Sequence, residues 1–147
     1  MAKEKSKTEL YLERIEKIDS LVHNKLIERQ QWADLALSIT ANMGGERVQA
    51  SGSLSKMADA MNKCMDMEAE IDSAVEKLVN EKREIVGVIE QLDSPIEYNV
   101  IHQRYVQYKE PKEIAEHYGK EYNWATTTLG RARAHIREIL DGKRFVT

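Results

Sequence analysis

From Asn123 onward the chain carries five basic residues against two acidic ones. Read as a helix, this stretch places Ala125, Leu129, Ala132, Ile136 and either Ile139 or Leu140 on one face. Thr126, Thr127, Gly130, Arg131, Ala134 and Arg137 fall on the opposite face. Threonine can offer a hydroxyl or a methyl to a base edge, and a guanidinium can bond guanine through two parallel hydrogen bonds or pair with phosphate. Arg131 has the position for the first role. Arg133 and Arg137, with Lys143 and Arg144 behind them, suit phosphate. Asn123 stands at the end of the helix that would meet the bases first, where it is expected as the N-cap. Lys109 and Lys112 precede this stretch and could hold the nucleic-acid backbone. The chemistry is recognition of double-stranded DNA. Any one of these arginines would also suit an ordinary solvated helix, and only the cluster points to DNA. Trp124 reads as a wedge between helices, with a place on the DNA groove as the alternative.

Nothing comparable points to catalysis. His23, His102, His117 and His135 share no spacing, Cys64 is the single cysteine, and no nucleophile–base pair or phosphate-binding loop occurs. The expectation is a non-enzymatic protein without metal or cofactor. No apolar run approaches the roughly 20 residues of a membrane span, and MAKEKSKTEL has no apolar segment behind its lysines. With one cysteine, a reducing cytoplasm is the expected location. The net charge of −3 divides unevenly: residues 1–94 hold 13 Lys+Arg against 18 Asp+Glu, and residues 95–147 hold 9 against 7. The positive excess gathers at the C-terminal end, where a DNA reader would need it.

Three short helical patterns would position that cluster. Pro95 to about Gln107 carries Ile96, Val100, Ile101 and Tyr105. After the break at Lys109-Glu110-Pro111, a helix from Pro111 to Tyr118 presents Ile114, Ala115 and Tyr118, and Gly119 suits the left-handed residue that ends it. The last helix runs from near Asn123 to about Leu140. The order is a helix-turn-helix braced by the helix before it. A plain three-helix cap would show the same pattern. Asp93-Ser94-Pro95 ends the preceding helix and starts this unit, with Ser94 as cap. The expected domains are a helical arm over 1–94 and the helix-turn-helix over 95–147.

The arm itself is all-α. Tyr11, Ile15, Ile18, Val22, Lys25, Arg29, Trp32, Ala36 and Ile39 make a stripe over about Thr8 to Thr40, with Thr8 as N-cap. The glycines between Ala41 and Gly52 predict a loop. Leu54, Met57, Met61, Cys64, Glu68, Ile71, Val75, Leu78, Lys82, Ile85, Ile89 and Leu92 then keep three-four spacing without a slip, the signature of a coiled-coil seam. The seams could close on each other as an antiparallel hairpin, or on a second copy as a parallel coiled coil. In the hairpin, placing Ile39 opposite Leu54 sets Lys25 opposite Glu68 and Lys82 opposite Tyr11.

The C-terminal stretch resembles the helix-turn-helix of the fourth conserved region of bacterial sigma factors, on VIHQRY (Val100 to Tyr105), KEIAEHYG (Lys112 to Gly119) and the alanine- and arginine-bearing last helix. The whole layout is similar to phage and prophage late-gene transcriptional regulators of the ArpU/RinA type. The matching pieces are Tyr11-Leu12, Ile15, Ile18-Asp19, Lys25, Val48-Gln49-Ala50-Ser51, Arg104-Tyr105 and Gly130-Arg131-Ala132. The residue after that last element, a leucine in the family's pattern, is Arg133 here. The resemblance implies a DNA-binding activator. The leading expectation is a sequence-specific regulator of a phage or prophage, working at promoters in a bacterial host cell, whose arm forms a homodimer or higher oligomer or contacts RNA polymerase. Two other functions remain open on the residues alone. One is a DNA-recognition subunit of a packaging machine, like a small terminase. The other is an interaction module that binds polymerase without DNA.

Overall fold

The computed structural model describes residues 4–44 and 51–145, with side chains for 4–42 and 54–142. Its helices are α1 (Lys7–Gly44), α2 (Ser51–Ile89), α3 (Pro95–Ile101), α4 (Pro111–His117) and α5 (Tyr122–Phe145), and a π-helical turn over His102–Val106 prolongs α3. The described residues contain no strand, and none of their helices is long and apolar enough to cross a membrane. The protein is all-α, as its patterning requires. Of the expected loop, residues 41–44 continue α1 and residues 51–52 open α2, while residues 45–50, with Val48-Gln49-Ala50, lie outside the described residues.

The chain forms two compact units, Met1–Asp19 with Asn80–Thr147, and Ser20–Val79. The boundary expected at Ser94 therefore lies inside the first unit. Its core takes Leu12, Ile15 and Ile18 from the start of α1, and Ile85, Val88, Ile89 and Leu92 from the end of α2 and the turn after it. The shorter helices add Val100, Ile101, Tyr105, Ile114, Ala115, Ala125, Leu129, Ala132 and Ile136, all buried. Ser6 rather than Thr8 caps α1: the Glu9 amide donates to Ser6 Oγ at 3.1 Å, and Thr8, two residues on, is buried. Ser94 caps α3 as expected, accepting from the Glu97 amide at 3.4 Å with Pro95 in the first turn.

The connection from α3 to α4 is fixed by several bonds. In the π turn the Gln107 amide donates to the His102 carbonyl, and the Lys109 amide donates to that of Gln103 at 2.9 Å. Arg104 Nη1 reaches the Lys109 carbonyl at 3.3 Å. Tyr108 adopts a left-handed backbone (φ 62°), a conformation that costs a bulky residue about 1–3 kcal/mol and persists only where its surroundings impose it. Here the Tyr108 hydroxyl donates to Asp19, whose other oxygen accepts from Lys82 Nζ at 2.7 Å. That places Lys82 beside Asp19, where facing Tyr11 was expected. After α4 the chain turns through Gly119 at φ 63°, with the Lys120 amide donating to the Ala115 carbonyl at 2.8 Å. This is the left-handed helix end read from the sequence.

In the second unit α1 and α2 pack as a long pair. Arg29 meets Asp72, and Thr40 meets Met61, so numbers rise along one helix as they fall along the other: the pair is antiparallel. The seam positions are the covered ones. Val22, Trp32, Ala36 and Ile39 on α1, and Met57, Met61, Val75 and Leu78 on α2, are half-buried, and Cys64 and Ile71 are buried. Leu54 stays exposed. The register is one to two turns from the expected one. Arg29, not Lys25, takes Glu68 (3.7 Å), and it also holds Asp72 through two bonds of 2.6 and 3.2 Å. Lys25 turns to Glu28 on its own helix. In that register the planar guanidinium fork of Arg29 matches the Asp72 carboxylate in two places, which a single ammonium cannot do.

Candidate nucleic-acid interface

α4 and α5 are joined by residues 118–121 in the first unit; α5 packs against both α3 and α4, and α4 also meets the π turn. α5 starts one residue earlier than expected. The Glu121 carbonyl accepts from the amides of Trp124 (3.0 Å) and Ala125 (3.4 Å), so the first turn is closed before Asn123 can cap it. Asn123 therefore sits inside the helix with its side chain exposed. Trp124 packs its ring 5.4 Å from that of Tyr118, wedged where α4 ends and α5 begins. Thr128, not singled out by its sequence position, is buried and turns its hydroxyl back to the Trp124 carbonyl at 2.7 Å.

The inner face of α5 follows the sequence closely: Ala125, Leu129, Ala132 and Ile136 are at most 2% exposed. The polar residues divide into two groups. Asn123, Thr127 and Arg131 are exposed and spaced four apart, so they form one outward stripe. Arg131 enters no ion pair among the described residues. Thr126 and Gly130 are half-buried, and the Thr126 hydroxyl bonds the Asn123 carbonyl. Arg133 is turned back into the protein: Nη1 donates to the Tyr105 hydroxyl at 3.3 Å, and Nε lies 4.0 Å from Glu9. Arg137 is exposed, its Nε 3.9 Å from Asp141. A groove of about 1130 Å³ runs between α5 and the start of α1, lined by Lys7, Thr8, Tyr11, Gly130, Arg133 and Arg137 among others. Lys112 is exposed in the first turn of α4, and Lys109 is half-buried before it. The side chains of Lys143 and Arg144 lie outside the described residues.

Electrostatically this surface is mixed. Lys112 and Lys120 alternate with exposed Glu113, Glu116 and Glu121, and the positive excess comes from α5. One pair was not legible from spacing: His135 Nδ1 lies 2.5 Å from Glu97 Oε1, joining α5 to α3. The Glu97 carboxylate beside it holds the imidazole above its ordinary range, with Glu138 and Asp93 adding to the effect. Histidine and glutamate stand 38 positions apart, so only the packing of α3 on α5 brings them together.

No family model, curated protein or solved structure matches the chain.

Proposed function

We propose that α4, residues 118–121 and α5 act as a helix-turn-helix that seats α5 in the major groove of double-stranded DNA, and that the protein is a sequence-specific transcription regulator. In this reading it is a phage or prophage activator working at promoters in the cytoplasm of a bacterial host, with RNA polymerase as its second partner. The observation that carries the reading is the outward stripe of Asn123, Thr127 and Arg131. These side chains stand clear of the chain's own helices, while the opposite face of α5 is sealed into the core. A helix so mounted can enter a groove about 12 Å wide, with its N-terminal turns toward the bases. Arg131 supplies the guanine-reading fork, Thr127 the hydroxyl and methyl, and Lys112 and Arg137 the phosphate contacts that fix orientation. Arg133 serves the fold instead, tying α5 to Tyr105 and Glu9.

The resemblance to sigma-factor and ArpU/RinA-type readers supports the same reading. The test is binding of a random duplex, followed by fluorescence anisotropy between about 50 and 200 mM salt. Phosphate contacts release counterions, so affinity should fall steeply over that range. No binding at the low-salt end would overturn the proposal and favour a module that meets only protein.

A further inference from the structure

Tyr108 holds a left-handed backbone at φ 62°, where a glycine would sit at no steric cost. What a tyrosine adds there is a ring and a hydroxyl. The hydroxyl donates to one oxygen of Asp19 on α1, and the other oxygen takes Lys82 Nζ of α2 at 2.7 Å. All three residues belong to the first unit. On the DNA reading proposed above, we infer that this tether makes Tyr108 a positioning residue for the nucleic acid: by fixing the connection from α3 to α4, it holds Lys109 and Lys112 where they meet phosphate.

Little slack separates the tether from the lysines. The Lys109 amide donates to the Gln103 carbonyl at 2.9 Å, and the Lys109 carbonyl accepts from Arg104 Nη1 at 3.3 Å. Lys109 is thus held at both backbone groups directly after Tyr108. The Glu110 amide donates to Glu113 Oε1 at 3.4 Å, and Pro111, whose ring locks its φ, opens α4. From Tyr108 to Pro111 each residue has its backbone set by a bond or a ring, so a shift of Tyr108 passes on to Lys109 and Lys112. Placement matters here because net charge does not help. Residues 109–113 carry Lys109 and Lys112 against Glu110 and Glu113. The stretch is neutral as a whole, and only the position of its two ammonium groups can gain a phosphate.

Fluorescence anisotropy of the full chain on a duplex, measured across salt, tests the tether. Phosphate contacts set the salt slope, and base contacts set the sequence preference. Tyr108→Phe keeps the ring and loses the bond. Tyr108→Gly loses the bond and relieves the backbone. Tyr108 is 39% exposed, so neither variant opens the core. Both should bind about three- to tenfold more weakly, with a salt slope shallower by about one and the motif of the wild type. Asp19→Ala should do the same, and joined to Tyr108→Phe it should add nothing further. Lost stability alone would leave the slope unchanged. Tyr108→Gly binding like the wild type would mean that the turn suffices without the tether, and would overturn the inference. An unaltered slope or a changed motif would do so too. A wild type that binds no duplex would overturn the DNA reading and this inference with it. Hydrogen exchange tells the two failures apart: the Lys109 amide should exchange faster in Tyr108→Phe whether or not the protein binds DNA, and equal rates would overturn the tether alone.

Discussion

The two units of this chain are built from the same two long helices, with the same three-four periodicity, yet they bury their seams to different depths. In the first unit Leu12, Ile15, Ile18 and Ile89 are fully enclosed. In the second, seam positions of the same kind (Val22, Trp32, Val75, Leu78) stay half-exposed, and only Cys64 and Ile71 are buried hydrophobics among the described residues. The difference lies in what covers the pair. Where α3, α4 and α5 supply a further layer, the apolar stripe finds partners on more than one side. Where two helices have only each other, half of each side chain faces outward. A helical stripe thus specifies contact, and the number of layers decides burial.

This contrast can be broken by substitution. Leu129→Ala, at a site 2% exposed beneath α5, should destabilise the first unit by about 2–5 kcal/mol, read by urea denaturation. Met65→Ala in the second unit should cost less than about 0.5 kcal/mol in the same measurement. Equal effects would mean that the second unit's exposed face is as tightly packed as the core.

Smaller effects are expected at two glycines of the first unit. Gly119→Ala forces a side chain onto a left-handed residue and should cost about 1 kcal/mol. Gly130→Ala meets nothing within 4 Å on an ordinary helical backbone and should stabilise by about 0.5–1 kcal/mol. If Gly130 faces DNA, the same variant weakens duplex binding while it raises the melting temperature, a split that packing alone would not give.

The smallest effects are those of pH, and they run in opposite directions in the two units. His135 has its pKa raised by Glu97, so its contribution is complete below the ordinary value of 6.5 and is lost as pH rises through the raised one. Asp72 has its pKa lowered by the hydrogen bonds from Arg29, so its contribution is present above the ordinary 3.8 and is lost as pH falls through the lowered value. Melting of His135→Ala against wild type should differ at pH 6 and converge as pH rises past the raised value. Asp72→Asn should differ at pH 6 and converge in strong acid. Differences that ignore pH would remove both pairs from the account.

Much of this architecture could be read from local residues. The inner face of α5, the Ser94 cap with Pro95, the left-handed Gly119 and both long seams depend on spacing along one helix or on one turn. What escaped depends on apposition. The register of the long pair is one such feature: it brings Arg29, rather than Lys25, beside Glu68 and Asp72. The first unit recruits residues 1–19 because Leu12, Ile15 and Ile18 pack into its core, which no local break in the sequence announces. Among the candidate contacts, Arg133 was expected on phosphate beside the base-reading Arg131. Two positions along a helix amount to about 200° of rotation, and that turns Arg133 toward Tyr105 and Glu9 and leaves Arg131 facing out.

The separation of these two arginines gives the most direct test of the central claim, that the outer stripe of α5 reads DNA. Duplexes bound by the wild type, by Arg131→Ala and by Arg133→Ala would be selected from a random pool and sequenced. The account predicts one enriched motif for the wild type, loss of preference at one position for Arg131→Ala at a cost of about 1–3 kcal/mol, and an unchanged motif with lower thermal stability for Arg133→Ala. Enrichment of no motif by the wild type, or one that survives Arg131→Ala intact, would contradict it.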